Sequence, residues 1–188
     1  MGGVQIPKKK KNIRRFDAIL RHTQQIYVRD FQALADLKKY SYKKVDFFMD
    51  TSYFAIEWKK YKTPAQKYIV VNLNSRGEKF LGDIIRDITE YAQKGYIIYY
   101  VPISAGLDDD RVYFEKLKKK LPKKTDLQIL EREHDFKYFL KILGGAEKVV
   151  GTRLHLYLIS QFIGLDTIVY PYQRKIIRMQ EVLSKVAV

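Results

Sequence analysis

The feature that most constrains the fold is a regular alternation of short apolar runs and amphipathic segments. Apolar runs predict strands at residues 68–73, 96–101, 127–130, 148–150 and 167–170. Helical periodicity falls between them at residues 78–93, 109–121, 136–143 and 154–163, and again from about residue 174. Strands that alternate with helices form parallel sheets through right-handed crossovers, with helices on both faces. The pattern therefore predicts a doubly wound, Rossmann-type α/β domain over residues 63–188.

The first 62 residues show the same alternation on a smaller scale. They predict helices at 12–23 and 31–40, and strands at 26–28 and 45–49. A basic stretch with a proline, residues 58–65, then marks a boundary. Two short strands and two helices bury little apolar surface. Residues 1–62 are therefore expected to form a partial N-terminal α/β unit.

The charge and composition restrict the class of protein. The 36 Lys and Arg residues against 21 Asp and Glu give a formal net charge of +15, which attracts nucleic acids, phosphorylated metabolites, acidic glycans and anionic lipid. The lack of cysteine excludes disulfides, zinc thiolates and a cysteine nucleophile. No apolar run reaches the roughly 18–20 residues that span a bilayer, and residues 1–11 contain no apolar signal region. We expect a cytoplasmic protein whose charge is compatible with peripheral contact to an anionic membrane.

Residues with useful chemistry should follow the strands, because ligands bind at the carboxyl ends of parallel strands. The most informative stretch is Gly-Thr-Arg-Leu-His, residues 151–155, where a predicted strand turns into a helix. The helix N-terminus offers free N–H groups, and Arg153 adds a planar fork suited to carboxylate or phosphate. His155 is suited to proton transfer. The alternative is that Arg153 pairs with a neighbouring carboxylate and His155 is an ordinary helix residue; the residue types alone leave both open.

Two segments resemble a known family. The run VVGTRLHLYLISQFIGL, followed by TIVYPYQRK, resembles the C-terminal signature of the polysaccharide pyruvyl transferase family. That signature consists of an Arg-x-His turn, an apolar helix, a Gly, a strand and Tyr-x-x-Lys, here Tyr172 to Lys175. Upstream, the short strand that ends in Arg29-Asp30, and Asp50 after the next strand, resemble other parts of the family. The similarity runs from about residue 2 to residue 183 and rests on the order and spacing of the motifs.

The resemblance implies a GT-B-like pair of Rossmann-type domains, of which this chain covers the C-terminal two-thirds, starting in the middle of the first. It implies transfer of a pyruvyl group from phosphoenolpyruvate to a saccharide, forming a ketal in cell-surface polysaccharide biosynthesis. By position, Arg29 and Arg153 would bind phosphoenolpyruvate, Leu154 would shape the pocket, and His155 would be the catalytic acid or a phosphate ligand. The scheme needs no cofactor beyond the donor substrate and no metal.

Two further residues and two partners follow from the same resemblance. Tyr172 and Lys175 are additional candidates for substrate binding. The acceptor would be a saccharide, in free or lipid-linked form, on which the ketal forms. The acidic run Asp108–Asp110 is interpreted as charge at a helix N-terminus and not as a metal site.

Three other classes of function remain as alternatives. A nucleic-acid-binding module would use the lysines of residues 8–11 and 116–124, but no helix-turn-helix, RNP or finger motif accompanies them, so a solvated surface and no specific nucleic acid are expected. A GT-B glycosyltransferase using a nucleotide-sugar would place a carboxylate after the last strands for the ribose, and residues 170–178 contain none. A non-catalytic remnant or one half of a split enzyme is the third.

Overall fold

The computed structural model describes residues 6–39, 44–104, 106, 108–131 and 135–186. The helices are α1 (Lys10–His22), α2 (Phe31–Lys39), α3 (Leu81–Gln93), α4 (Arg111–Lys120), α5 (Phe136–Gly144), α6 (Leu154–Ile163) and α7 (Arg174–Lys185). The strands are β1 (Ile26–Val28), β2 (Val45–Phe47), β3 (Gln66–Val71), β4 (Ile97–Tyr100), β5 (Leu127–Ile129), β6 (Ala146–Gly151) and β7 (Thr167–Val169). Every predicted strand and helix is present, with ends that shift by up to three residues.

The chain forms two compact units. The larger unit comprises residues 57–172, and the smaller unit combines residues 1–56 with 173–188. This grouping differs from the expected division at residues 1–62 and 63–188 in two places. Residues 57–62 belong with the larger unit, and the C-terminal helix α7 belongs with the smaller one.

The larger unit is built on a five-stranded, fully parallel sheet. Its strand order is β5-β4-β3-β6-β7, with Val71 of β3 opposite Tyr100 of β4 and Val150 of β6. The chain builds outward from β3 to β5, then returns to place β6 on the other side of β3. The carboxyl ends of β3 and β6 therefore flank the point where the strand order reverses, which is the usual ligand position in such sheets.

Helices cover both faces of this sheet, as the alternating pattern predicted. Ile69 and Val71 of β3 join one buried cluster with Ile88 of α3 and Leu117 of α4. On the opposite face, the hydroxyl of Tyr68 donates a 2.7 Å hydrogen bond to the carbonyl of Ile142 in α5. Because successive strand side chains point to opposite faces, both layers are anchored on the same strand. Each fully buried aliphatic side chain contributes roughly 1.5–3 kcal/mol.

The segment Trp58–Tyr61 belongs to the larger unit because it packs against α5 and α6. Trp58 is buried, and its ring lies 6.0 Å from the ring of Phe162. The backbone amide of Thr63 donates to the carbonyl of Gly144 at 3.1 Å. A Cβ atom on Gly144 would lie 1.8 Å from the carbonyl oxygen of Tyr61, so this close approach requires glycine.

The smaller unit contains two strands and packs helices against them. Its strands β1 and β2 are parallel neighbours, with Ile26 opposite Val45. Helix α7 contributes the buried residues Ile176, Met179 and Val182 and contacts α2. Arg178 of α7 also lies 3.6 Å from the carboxylate of Asp30. Among all the helices that the structure describes, none has the length and apolar character needed to cross a membrane.

Candidate functional site

The Gly-Thr-Arg-Leu-His turn lies at the carboxyl edge of the larger unit's sheet. Gly151 ends β6 and Leu154 begins α6, with Arg153 as the N-cap residue in an extended conformation. The first hydrogen bond of the helix runs from the amide of Tyr157 to the carbonyl of Arg153, at 3.1 Å. Helix α6 therefore begins directly after the strand end, and its dipole favours negative charge at this N-terminus.

Arg153 is paired with two aspartates. Its Nε lies 3.1 Å from Oδ2 of Asp110 and its Nη2 lies 2.5 Å from Oδ1, a two-point contact. The same Nη2 donates to Oδ2 of Asp108 at 2.9 Å. Its other terminal nitrogen, Nη1, has no hydrogen-bond partner among the residues that the structure describes. Arg153 therefore does pair with neighbouring carboxylates, as one of the two sequence interpretations expected. Only Nη1 of its guanidinium makes no hydrogen bond to the described residues.

The two aspartates differ in burial. Asp110 is fully buried, the Asp108 side chain is 34% exposed, and that of Arg153 is 17% exposed. Burial alone would lower the pKa of Arg153, but the bonds and charges of Asp110 and Asp108 outweigh it and raise that pKa. A hydrogen bond from Ser75 and the charge of Arg153 hold the pKa of Asp108 below its ordinary value despite some desolvation. Arg153 and Asp108 are therefore both charged at neutral pH.

Asp110 joins the ends of three strands. Its Oδ2 accepts from Nδ2 of Asn72, which follows β3, at 3.0 Å. The same oxygen accepts from the amides of Ile103 and Ser104, which follow β4, at 3.1 and 3.2 Å. Together with Arg153 after β6, these contacts surround a buried carboxylate with donors, as a buried charge requires. This network fixes the geometry of the sheet edge.

A second set of contacts supports the turn from the β3 side. The amide of Asn74 donates to Oγ1 of Thr152 at 3.1 Å, and Oδ1 of Asn74 accepts from the amide of Gly77 at 2.8 Å. A Cβ atom on Gly77 would lie 2.5 Å from Cγ2 of Thr152, so the two segments pack closely. Nδ2 of Asn74 is buried without a hydrogen-bond partner among the described residues. Such an unsatisfied donor is rare in folded proteins and marks a site not optimised for stability alone.

His155 is exposed in the first turn of α6 and lines a cavity. This cavity, here called the aromatic pocket, has a volume of about 330 Å³. Its walls are the ends of β4 and β5, helix α5 and helix α6, with Leu130, Phe136 and Phe139 among the apolar side chains. Leu154, expected to shape a pocket, is buried beneath the turn and does not line this one.

Arg29 occupies a comparable position in the smaller unit. It directly follows β1, and its Nη1 donates to Oδ2 of Asp50 after β2. Asp50 also accepts from the amide and the hydroxyl of Ser52, at 3.1 and 2.7 Å. Burial would raise the pKa of Asp50, but the bonds from Ser52 and Arg29 lower it below its ordinary value. Arg29, like Arg153, is a strand-end arginine held by a buried aspartate.

The remaining predicted residues fall into different units. Tyr172 is half-buried after β7, at the end of the larger unit, whereas Lys175 is exposed in the first turn of α7 in the smaller unit. No cluster of three His, Asp or Glu side chains suited to a metal ion occurs in the described ranges. Sequence reasoning named Arg153 and His155 as candidates, which stay predictions, and missed the role of Asp110 as the centre of a polar network. The available signal was its position in an acidic run at the start of a predicted helix that follows a strand.

Comparison with known proteins gives one family. The family model described as polysaccharide pyruvyl transferase matches residues 3–160 of the 188-residue chain. The matched range contains both strand-end arginines, the Asp110 network and His155. No protein in the curated collection of characterised sequences matches the chain significantly.

Proposed function

This chain belongs to the polysaccharide pyruvyl transferase family, and we propose that it transfers a pyruvyl group from phosphoenolpyruvate to two hydroxyls of a saccharide. The observation that carries this proposal is the first turn of α6. There a paired arginine, the N-terminus of a helix and an exposed histidine lie beside the strand-order reversal of a parallel sheet. Anion binding and proton transfer are the two capabilities that the reaction needs.

The proposed reaction balances without a cofactor or metal. A proton adds to the methylene carbon of phosphoenolpyruvate, which becomes the methyl group and leaves cationic character on the central carbon. One acceptor hydroxyl adds to that carbon, the bond to the phosphate oxygen breaks, and the second hydroxyl closes the ketal. The two hydroxyls release two protons. One of them restores the acid that gave its proton to the methylene carbon, and the other leaves with inorganic phosphate.

The residues of the larger unit support distinct steps. The amides of the α6 N-terminus and the guanidinium of Arg153 would bind the phosphate or carboxylate of the donor. Asp108 is the partner that an incoming anion would replace, because it is partly exposed while Asp110 is fully buried. His155 would protonate the methylene carbon or, alternatively, bind the leaving phosphate. Arg29 is proposed, from the family resemblance, as a second cation for the same donor.

The test is direct measurement of donor binding and turnover. Titration calorimetry with phosphoenolpyruvate should show binding, and NMR of a mixture with pyranoside acceptors should show free phosphate and a new ketal methyl signal. The His155→Gln variant should lose about 10²–10⁴-fold in turnover with little change in donor affinity if His155 is the proton donor. A fall in affinity would assign it to phosphate binding instead. The matched control is His22→Gln, an exposed histidine in the last turn of α1.

Two results would contradict the proposal. If phosphoenolpyruvate does not bind the unaltered chain at millimolar concentration, it is not the donor substrate. Transfer from a nucleotide-sugar, with release of nucleotide, would establish the glycosyltransferase alternative. A saccharide acceptor in lipid-linked form, a cytoplasmic location, peripheral membrane contact and the lack of a specific nucleic-acid partner stay predictions from the sequence.

A further inference from the structure

The aromatic pocket is separate from the contacts made by Arg153. Besides His155, it is lined by Pro102 after β4, by Leu130 and Glu131 after β5, and by residues of α5 and α6. Ligand pockets generally have volumes of roughly 300–1,000 Å³ and are mostly apolar with a few polar groups that set orientation. At about 330 Å³, this one is at the small end of that range. It therefore fits a single ring better than an extended ligand.

The pocket carries aromatic side chains that are exposed in this chain. Phe136 is 55% exposed and Tyr138 is 40% exposed, and both lie in the first turn of α5. The ring of Phe136 is stacked on that of Phe139, with centroids 6.0 Å apart. Large apolar rings left in water at the edge of a concave site cost solvation free energy that a bound ligand would recover. Aromatic faces also attract polarised C–H groups because the ring face is electron-rich.

The polar groups of the pocket restrict the ligand further. Glu131 contributes a carboxylate, which repels a phosphate or carboxylate ligand and accepts hydrogen bonds from hydroxyls. A fully apolar ligand would desolvate the carboxylate of Glu131 without offering it a hydrogen bond. A neutral ring with one C–H face and hydroxyls around its edge satisfies both requirements. A pyranose has that structure.

We infer that the aromatic pocket binds one pyranose ring of a neutral saccharide acceptor. The C–H face of the ring lies on the aromatic side chains of α5, and its hydroxyl edge faces Glu131 and His155. This inference rests on the proposed function in one respect, because it assigns the sugar as the acceptor of the pyruvyl group. The location then explains how one residue, His155, serves both donor and acceptor: it follows Arg153 by two positions and also lines the pocket.

The test uses NMR with ¹⁵N-labelled protein and a panel of methyl pyranosides of galactose, glucose, mannose and their N-acetyl-2-amino forms. At least one should shift the amides of Leu130 and Phe136 at millimolar concentration, with saturation transfer strongest to the C–H protons of one ring face. Phe136→Ala should weaken that binding by about two- to tenfold. Glu131→Gln, which keeps the size of the side chain, should weaken it as well.

The controls separate this inference from the proposed function. Val112→Ala removes an exposed apolar side chain of α4 that does not line the pocket, and it should leave pyranoside binding unchanged. Phe136→Ala should leave phosphoenolpyruvate binding unchanged. If phosphoenolpyruvate binds but no pyranoside does, the assignment of the aromatic pocket is wrong and the proposed function is not affected. If a pyranoside binds in the pocket but phosphoenolpyruvate does not bind, the proposed function is wrong and the pocket still binds a sugar. Occupation of the pocket by uridine diphosphate or by cyclohexylmethanol in preference to every pyranoside would also overturn the assignment of the pocket.

Discussion

Replacing Asp110 with asparagine should destabilise the larger unit strongly, although the side chain keeps its shape. One carboxylate oxygen accepts from Asn72, from two backbone amides and from Nε of Arg153, and the other accepts from Nη2 of Arg153. An amide has only one acceptor oxygen, so in either orientation its NH₂ group faces a donor. The substitution also leaves the largely buried guanidinium without its closest counter-charge.

The expected magnitude follows from burial. Removing one partner of a buried ion pair costs about 3–5 kcal/mol, and Asp108 still compensates part of the charge of Arg153, so about 3 kcal/mol is expected for Asp110→Asn. That is a large fraction of the roughly 5–15 kcal/mol that stabilises a typical domain. In urea, where the slope is about 1–3 kcal/mol/M, the unfolding midpoint should fall by about 1–3 M at unchanged slope.

The assay can be restricted to the larger unit. Trp58 is the chain's single tryptophan and is buried in that unit, so its fluorescence reports unfolding there. Glu78→Gln, which removes the exposed partner of Lys116, is the control and should leave the midpoint unchanged. In a double-mutant cycle, adding Arg153→Met to Asp110→Asn should cost less than the sum of the single changes by at least about 1 kcal/mol. A loss below about 1 kcal/mol for Asp110→Asn, or additivity in the cycle, would refute the proposed role of the network.

Three further predictions concern packing, pH and the donor. Gly144→Ala should destabilise the larger unit by several kcal/mol in the same fluorescence assay, because the new Cβ atom would overlap a backbone carbonyl. In the control Gly82→Ala the Cβ atom meets open space, so this change should be neutral or stabilise the unit by up to about 1 kcal/mol. Folding lowers the pKa of Asp50, so its contribution to stability is present above the ordinary value of 3.8 and is lost as the pH falls through the lower folded value. An NMR titration that follows the Ser52 amide should show a midpoint below 3.8. Arg29→Ala should weaken phosphoenolpyruvate binding by roughly 2 kcal/mol or more in calorimetry, and unchanged affinity would remove Arg29 from the donor site.

The sequence predicts the helices and strands well where local signals are strong. Helix α6 has the predicted bounds, because Gly164 supplies a left-handed conformation, with φ of 86°, directly after its last turn. Helix α3 begins three residues later than expected. Residues 75–80 form a 3₁₀ helix first, and the side chain of Asn74 caps that segment. Local periodicity does not distinguish the two kinds of helix.

Contacts between distant residues were not predictable in the same way. The acidic run Asp108–Asp110 was interpreted as charge for the start of α4, yet Asp110 makes no cap hydrogen bond there and pairs with Arg153. Partners 43 positions apart meet only because β4 and β6 flank β3, an order that the alternating pattern does not specify. The amphipathic pattern of α7 likewise predicts a buried face without indicating which unit it covers.

The grouping of α7 with the smaller unit has a consequence for how the chain folds. The larger unit is an insertion between two parts of the smaller one, so α2 and α7 meet only after more than half of the chain has been closed into a loop. Loop closure over such a length carries an entropic cost, which a folded insertion reduces by holding its own ends in place. During synthesis, residues 6–39 leave the ribosome before residues 174–185, and until those have followed they lack the buried side chains of α7. The smaller unit is thus begun before the larger unit and completed after it, and until then the apolar face that α7 covers is open to chaperones and to other copies of the chain.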